Sequence, residues 1–202
     1  FLNYNRMAYS SREIVREHSI KVPDEDMPIH LLSGGNQQKV ILARELHEPH
    51  LLLIVENPTR GLDVKSTAVI HQMLLKEREQ GNAVLLISSD LDELLALSDR
   101  IAVMYLGSIL EIGSKEDIYD NAKSPYTQAL LSSIPVIDPN RTFRKKIILK
   151  GELPSPLNPP KGCPFHTRCP IARPLCQQKA PELCENENGH FVACHFPEQI
   201  LR

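Results

Sequence analysis

Two short, wholly apolar runs constrain the fold of this chain more than any other feature of its sequence. Residues 51–55 and residues 83–87 each consist of five consecutive apolar side chains. Strands that are buried on both faces of a parallel sheet have this composition, whereas half-exposed strands alternate with polar residues. Residues 65–80, which lie between them, have apolar side chains at helical spacing and supply the crossover that parallel strands need. This order predicts an α/β fold.

Further elements are predicted from local patterns on either side of this pair. Ser114 and Asp117 have the spacing of a capping box at a helix start. Glu93 lies in the first turn of a short helix, where its negative charge suits the helix dipole. The elements are a helix at 11–20, a helix after Gly34 and Gly35, a short helix at 90–98, a hairpin at 101–112, a helix at 126–133 and a strand at 146–150.

Composition separates the last third of the chain from the rest. Eleven of the 16 prolines lie at or after Pro135, and all five cysteines lie between positions 163 and 194. The net charge of −2 and the absence of tryptophan argue against a nucleic-acid partner. No apolar run is long enough to span a bilayer and no export signal is seen, so we expect a cytosolic chain with reduced cysteines.

A glycine pair at the start of one helix is the strongest chemical signal. Residues 32–39 read LSGGNQQK, which places a serine and two glycines where backbone N–H groups of a helix have no partner. Such a terminus binds anions such as phosphate without needing a lysine. An ordinary N-cap followed by a glycine turn would have the same local pattern.

The order of the surrounding motifs resembles the ABC ATPase family. Residues 32–39 are similar to its signature motif, the strand ending at Glu56 to its Walker B strand, and residues 61–63 to its D-loop. Ser89 follows the second strand at the position of the family's switch histidine. The resemblance extends over residues 30–112 and favours the sugar and nucleoside importers within the family. The expected class is therefore an α/β, ABC-type P-loop NTPase domain, represented here by its C-terminal part.

The resemblance implies that ATP and Mg²⁺ are shared with a second nucleotide-binding subunit. In this family two such domains meet head to tail, and the signature motif of one faces the ATP held by the other. Membrane permease subunits are then direct partners, an extracytoplasmic substrate-binding protein is an indirect one, and the chain lies at the cytoplasmic face of the membrane. The residues expected to face ATP are Ser33, Gly34, Gly35, Asn36, Gln38 and Asp63.

Three departures from the family pattern predict a weak hydrolytic centre. The chain contains no G-x-x-x-x-G-K-[ST] phosphate loop, so we expect it to be the C-terminal part of a longer protein. The full subunit dimer would hydrolyse ATP, but this isolated chain is not expected to do so. Glu56 and Asn57 stand where the family has Asp-Glu, and Asn57 cannot accept a proton from water. Ser89 replaces the histidine. Alternatively, Asn57 and Ser89 simply cap the segments that follow them.

The five cysteines need a separate explanation, because a short Pro-rich segment with few apolar residues scarcely folds without a staple. No C-x-x-C pair occurs among them, which argues against a zinc ribbon or a thioredoxin-type motif. A Cys₄ metal site, an iron–sulfur cluster and reduced structural thiols all remain open on spacing alone.

A second resemblance covers residues 104–202. The stretches SPYTQALL from Ser124, GELPSP from Gly151 and GCPFHTRCP from Gly162 are similar to the C-terminal extension of oligopeptide and dipeptide ABC importer ATPases. This resemblance implies a [4Fe–4S] cluster, with zinc as the alternative, and leaves Cys184 as a spare thiol. The implied ligands are Cys163, Cys169, Cys176 and Cys194.

Together the two resemblances predict an ATP-binding subunit that couples ATP hydrolysis to uptake of oligopeptides or dipeptides. A sugar or nucleoside importer subunit with a degenerate site is one alternative, and a non-catalytic regulatory module with an iron–sulfur tail is another. Three segments are expected: a partial nucleotide-binding domain at 1–113, a helical and Pro-rich connector at 114–162, and a small irregular Cys-rich tail at 163–202.

Overall fold

A computed structural model describes residues 3–24, 26–134 and 146–198 and divides the chain into two compact units, residues 1–97 and 98–202. The predicted hairpin lies in the second unit, although the sequence grouped it with the first segment. The predicted segment limits at 113 and 162 stay predictions. Residues 135–145 of the predicted connector, and residues 199–202 of the tail, fall outside the described residues.

Among the described residues, the first unit has four α-helices and one pair of parallel strands. Leu53 of the first strand lies opposite Val84 of the second, as expected for the two apolar runs. A 3-10 helix (Ile29–Leu31) precedes the glycine pair. The other elements are α1 (Tyr4–Glu17), α2 (Gly34–Leu46), β1 (Leu52–Glu56), α3 (Val64–Glu79), β2 (Ala83–Ile87) and α4 (Leu91–Leu97).

The apolar core of this unit lies on one face of the strand pair. Side chains of α1, α2 and α3 pack together with Leu53, Val55 and Val84. The buried members are Ile20, Leu42, Ala43, Leu53, Ile70, Met73 and Leu74. This core packs α3 against β1 and β2, the two strands whose C-terminal ends carry the candidate site.

The prediction that both strands are buried on both faces was wrong for the described residues. Leu52 and Ile54 are 53% and 59% exposed, and Leu85 and Ile87 are 50% and 48% exposed. These side chains alternate with the core residues, so they point to the opposite face of the sheet. Among the described residues, apolar side chains of the helices pack against the face that carries Leu53.

The second unit contains a four-stranded sheet of order β3-β4-β6-β5. β3 (Arg100–Tyr105) and β4 (Ser108–Ser114) form the predicted hairpin, whose two-residue loop has positive φ at both Leu106 and Gly107. β4 also pairs with β6, so the hairpin and the Cys-rich segment share one sheet. The other elements are α5 (Lys115–Asp120), α6 (Pro125–Leu131), α7 (Pro174–Gln178), β5 (Cys184–Glu187) and β6 (His190–Val192).

Two local predictions in this unit have opposite outcomes. The capping box at the start of α5 is confirmed, because Ser114 and Asp117 exchange side-chain-to-backbone hydrogen bonds. The strand predicted at 146–150 was wrong: these residues pair with no strand among the described residues. The amide of Ile147 instead donates to the Ser132 hydroxyl at 3.0 Å, and Ile148 is 76% exposed.

Candidate nucleotide-facing site and cysteine cavity

The N-terminus of α2 presents the predicted signature residues. Ser33 has the extended backbone of an N-cap, but its side chain makes no capping hydrogen bond. Its hydroxyl accepts from the amide nitrogen of Asn36 at 3.1 Å, and the Asn36 oxygen accepts from the backbone N–H of Lys21 at 3.2 Å. Ser33 and Gly34 are exposed, whereas Gln38 is partly buried one turn further along. The Ser33 hydroxyl and the N-terminus of α2 are therefore available to bind an anion.

Gly35 is glycine for a steric reason that can be read from its neighbours. A Cβ atom built on Gly35 would lie 2.8 Å from the Cβ of Ser66, closer than side-chain carbons approach. A Cβ on Gly34 would meet only Leu62, at an ordinary 3.8 Å. The buried Gly35 thus lets the start of α2 pack directly against the start of α3.

Asp63 connects this contact to the predicted D-loop. Its Oδ1 accepts from the backbone N–H groups of Lys65 and Ser66 at 2.9 and 3.0 Å, and its Oδ2 accepts from the Ser66 hydroxyl at 2.8 Å. These hydrogen bonds from Ser66 lower the pKa of the Asp63 carboxyl group. Asp63 is therefore the N-cap of α3. It also fixes the Ser66 side chain, against which Gly35 packs.

The three predicted catalytic residues lie where the two parallel strands end. Glu56 ends β1 and is exposed. Asn57 follows with a φ of 45° and donates its backbone N–H to the Ile87 carbonyl at 2.7 Å. Its side-chain oxygen accepts from the Ser89 backbone N–H at 3.1 Å and lies 3.4 Å from the Ser89 hydroxyl. Asn57 and Ser89 thus form one polar pair without a basic group.

The alternative role of Ser89 as a helix cap does not match the local hydrogen bonds. Asp90 performs that role, because its Oδ1 accepts from the backbone N–H groups of Asp92 and Glu93 at 3.0 and 3.3 Å. Ser88, not Ser89, accepts from the Asp90 N–H, at 3.0 Å. The Ser89 side chain is consequently left to contact Asn57.

Glu93 is a functional candidate that the sequence did not reveal. It was expected only as an acidic residue in the first turn of a helix, and its side chain is 2% exposed. Oε1 accepts from the Thr59 hydroxyl at 2.7 Å and lies 3.1 Å from the Nε2 atom of His71. Thr59 lies between Asn57 and the D-loop in the sequence. The Glu93 carboxylate is therefore hydrogen-bonded to the segment that connects these two parts of the candidate site.

In the second unit, one cavity is lined by all four cysteines that were predicted as ligands. Cys184 is exposed on β5 and does not line it. Two segments approach closely here, because the backbone N–H of Cys163 donates to the Cys176 carbonyl at 2.8 Å. Gly162, with a φ of 74°, permits this approach, since a Cβ there would lie 2.7 Å from the carbonyl carbon of Gln177.

The spacing of the possible metal ligands, and the pKa of the cysteine thiols, describe the state of this cavity without a bound metal. Among residues 3–24, 26–134 and 146–198, no three His, Cys, Asp or Glu side chains are grouped closely enough to hold a single ion. Four thiolates around one zinc ion lie about 3.8 Å apart, given a metal–sulfur distance near 2.3 Å. Burial raises the pKa of Cys163 and Cys194, and that of Cys169 to about 11, so the free thiols are protonated at neutral pH.

An aromatic cluster lies beside the cysteines. The rings of Tyr105, Tyr126 and Phe165 contact one another with centroid separations of 4.8, 5.3 and 5.2 Å. Cys163 and Cys169 pack against this cluster. Phe165 also lines the cavity, so part of the cavity wall is apolar. A hydrophobic shell of this kind controls solvent access to a metal centre and its dielectric surroundings.

A buried carboxylate holds the strands and the helix that border this cavity. Glu111 of β4 is 0% exposed, and its Oε1 lies 2.8 Å from the Nε2 atom of His190 in β6. It also accepts from the backbone N–H groups of Lys123 and Ser124 at 2.6 and 3.1 Å. Glu111 thus joins the two strands to the start of α6.

Comparison with known proteins supports both halves of this description. Residues 110–176 match the family described as the C-terminal region of oligopeptide/dipeptide transporters. The oligopeptide transport ATP-binding protein AppF of Bacillus subtilis is 48% identical over 83% of this chain and 51% of its own length. The corresponding protein OppF of Salmonella typhimurium is 44% identical over 82% of this chain and 50% of its own length.

Solved structures agree on the fold. The ABC transporter cassette MJ0796 in its dimeric structure matches with a TM-score of 0.50 at 23% identity, over 57% of this chain and 50% of that one. The ATP-binding cassette MJ1267 in its ADP conformation matches with a TM-score of 0.51 at 21% identity, over 60% of this chain and 49% of that one. The chain is thus similar to oligopeptide transport ATP-binding proteins and has the α/β fold of ABC transporter cassettes.

The match to the C-terminal region of oligopeptide/dipeptide transporters lies within the second unit. The chain spans about half the length of the curated relatives it matches. In the part of the chain that the structure describes, no helix is both long and apolar enough to cross a membrane.

Proposed function

We propose that this chain is part of the ATP-binding subunit of an ABC importer that takes up oligopeptides or dipeptides. The observation that carries the proposal is the exposed start of α2. The Ser33 hydroxyl makes no capping hydrogen bond there, and Ser33 and Gly34 are both exposed to solvent. The names of the relatives, which are oligopeptide transport ATP-binding proteins, support the peptide substrate. The partners are a second nucleotide-binding subunit and membrane permease subunits, with a substrate-binding protein acting through them.

The signature residues act on nucleotide that is held mainly by the partner subunit. Ser33 donates its hydroxyl, and the N–H groups at the start of α2 add further hydrogen bonds to phosphate oxygens. Gly35 keeps this terminus against α3, so the D-loop and the signature motif reach the dimer interface together. Binding thereby joins two subunits at the cytoplasmic face of the membrane, where they contact the permease.

The chain's own strand-end site contributes less to hydrolysis. Magnesium supplies charge neutralisation at the phosphates, and Glu56 is the exposed carboxylate that would hold it through water. Asn57 occupies the place of a general base, but an amide cannot take the proton of an attacking water. Ser89 adds only a hydroxyl. We infer that one of the two composite sites in a dimer with this subunit is weak.

The peptide-importer proposal is tested with the full-length polypeptide that carries this sequence, reconstituted with its permease partners in vesicles. Peptide should be taken up only with ATP, and peptide should stimulate phosphate release. Ser33→Ala should lower ATP turnover about tenfold, because hydrogen bonds to charged groups contribute roughly 1.5–3 kcal/mol. The matched control is Ser10→Ala, since the Ser10 hydroxyl contacts only the exposed His47 ring among the described residues.

A different substrate would give a different pattern in the same experiment. Uptake of a nucleoside or simple sugar, without any response to peptide, would support the sugar/nucleoside importer instead. The Glu56-Asn57 pair and Ser89 are the observations that favour this second candidate. A protein that binds neither ATP nor permease, yet holds iron, would favour the regulatory module.

We propose further that Cys163, Cys169, Cys176 and Cys194 hold a [4Fe–4S] cluster. The supporting observation is that these four cysteines line one cavity with an apolar wall, whereas Cys184 lies apart from it. The cluster would stabilise this unit directly, because metal binding contributes to folding.

The cluster proposal is tested on protein purified without oxygen. We expect a brown protein with about four iron and four acid-labile sulfide per chain. Cys163→Ser should lose most of the iron and unfold at lower urea concentration, whereas the control Cys184→Ser should retain both. One equivalent of zinc without sulfide would contradict the cluster and leave zinc as the bound metal.

A further inference from the structure

The contacts of Glu93 join two segments that carry the candidate hydrolytic residues. One segment follows β1 and contains Asn57 and Thr59; the other follows β2 and contains Ser89 and Glu93. Asn57 pairs with Ser89 at 3.1 Å, and Thr59 donates to Glu93 at 2.7 Å. These two hydrogen bonds form consecutive cross-links between the segments, so a shift of one segment displaces the other.

A third contact extends the cross-links to α3. The Nε2 atom of His71 lies 3.1 Å from the same Glu93 oxygen that accepts from Thr59. The loop at 61–63 then runs between two fixed points. At one end, the Leu62 N–H donates to the Thr59 carbonyl at 3.1 Å, and at the other Asp63 caps α3.

Burying the Glu93 carboxylate costs desolvation free energy, which an apolar side chain of similar volume would not. Its side chain is 2% exposed, and its Oε2 atom is buried without a hydrogen-bond partner among the described residues. A buried carboxylate loses its hydration, and replacing a buried ion pair with apolar residues of similar volume is often neutral or stabilising. A carboxylate at this position is therefore better explained by what it holds than by its contribution to stability.

We propose that Glu93 is a positioning residue that fixes the D-loop, Gly61–Asp63, relative to the Asn57–Ser89 pair. It acts through the Thr59 hydroxyl and does not touch nucleotide. Because the D-loop faces the partner subunit, the link transmits changes at the strand ends to the dimer interface. The part of this inference that concerns ATP turnover rests on the proposed function, whereas the part that concerns loop position does not.

The turnover part is tested in the full-length subunit with its permease partners. Thr59→Val keeps the side-chain shape but removes the donor, and should lower kcat for ATP about tenfold while KM changes less than twofold. Thr59→Ser restores a hydroxyl and should return kcat to within about twofold of the original. A kcat that is unchanged in Thr59→Val, or equally low in Thr59→Ser, would overturn the proposal.

The positional part is tested by amide hydrogen exchange on this chain, without any assay of function. Thr59→Val should speed exchange at Leu62 and Ser89 about tenfold, and leave the middle of α3 around Ile70 unchanged. Unchanged exchange at Leu62 would overturn the positioning role even if turnover fell. If exchange changed but the original full-length subunit showed no ATP hydrolysis, the proposed function would fail and the positional link would stand.

Discussion

Replacing Glu111 with alanine is expected to lower the free energy of unfolding of the second unit by about 3–5 kcal/mol, the usual cost of removing one partner of a buried pair. The side chain is 0% exposed. Its removal leaves His190 and the backbone N–H groups of Lys123 and Ser124 without an acceptor. Urea unfolding, followed by the fluorescence of the buried Tyr105 and its neighbour Tyr126, measures the change.

The matched control is Glu116→Ala on α5. Glu116 pairs with Lys115 at 4.0 Å, but both side chains are about half exposed or more. Exposed pairs of this kind contribute roughly 0–1 kcal/mol, so the control should leave the urea midpoint almost unchanged. A Glu111→Ala effect as small as that of the control would mean that the buried network does not hold the unit together.

Replacing Asn57 with glutamate in the full-length subunit is expected to raise kcat for ATP by roughly 10²-fold. The physical reason is that a carboxylate at this position can accept the proton of the attacking water, and a positioned general base contributes about 10²–10⁴-fold. The lower end is expected because Ser89 still occupies the switch position. Steady-state phosphate release at saturating ATP measures the change.

The control for this variant is Asn57→Gln. Asn57 has a φ of 45°, a left-handed conformation that asparagine tolerates better than longer side chains. Glutamate and glutamine are nearly equal in size and carry the same backbone strain, but only the carboxylate has a negative charge and can take a proton. If the two variants turned over ATP at equal rates, the missing general base would not be what limits hydrolysis.

The sequence predicted those features that depend on neighbouring residues. The capping box joins Ser114 and Asp117, which are only three positions apart. The hairpin loop is indicated by a glycine between two apolar runs. The helix after Gly34 and Gly35 follows from the same kind of local rule. The four cysteines were grouped through a family resemblance, because their spacing alone left several kinds of site open.

Features set by distant partners could not be predicted in this way. Glu93 was expected only as an acidic residue that suits the helix dipole, since nothing local indicates that Thr59 and His71 contact its side chain. Glu111 and His190 are 79 positions apart in the sequence. Residues 146–150 have the composition of a strand, but composition does not provide a partner strand, and Ser132 takes the Ile147 amide instead.

The pairing of β4 with β6 sets an order of events during synthesis. Glu111 leaves the ribosome 79 residues before His190, its buried partner. At 5–20 residues per second, that interval lasts about 4–16 s. Throughout it, the hairpin has an unpaired edge, and the acidic side chain intended for the interior is still hydrated. Sheets closed by such distant segments fold slowly, so the cysteines at 163, 169 and 176 emerge before the strand that completes their enclosure.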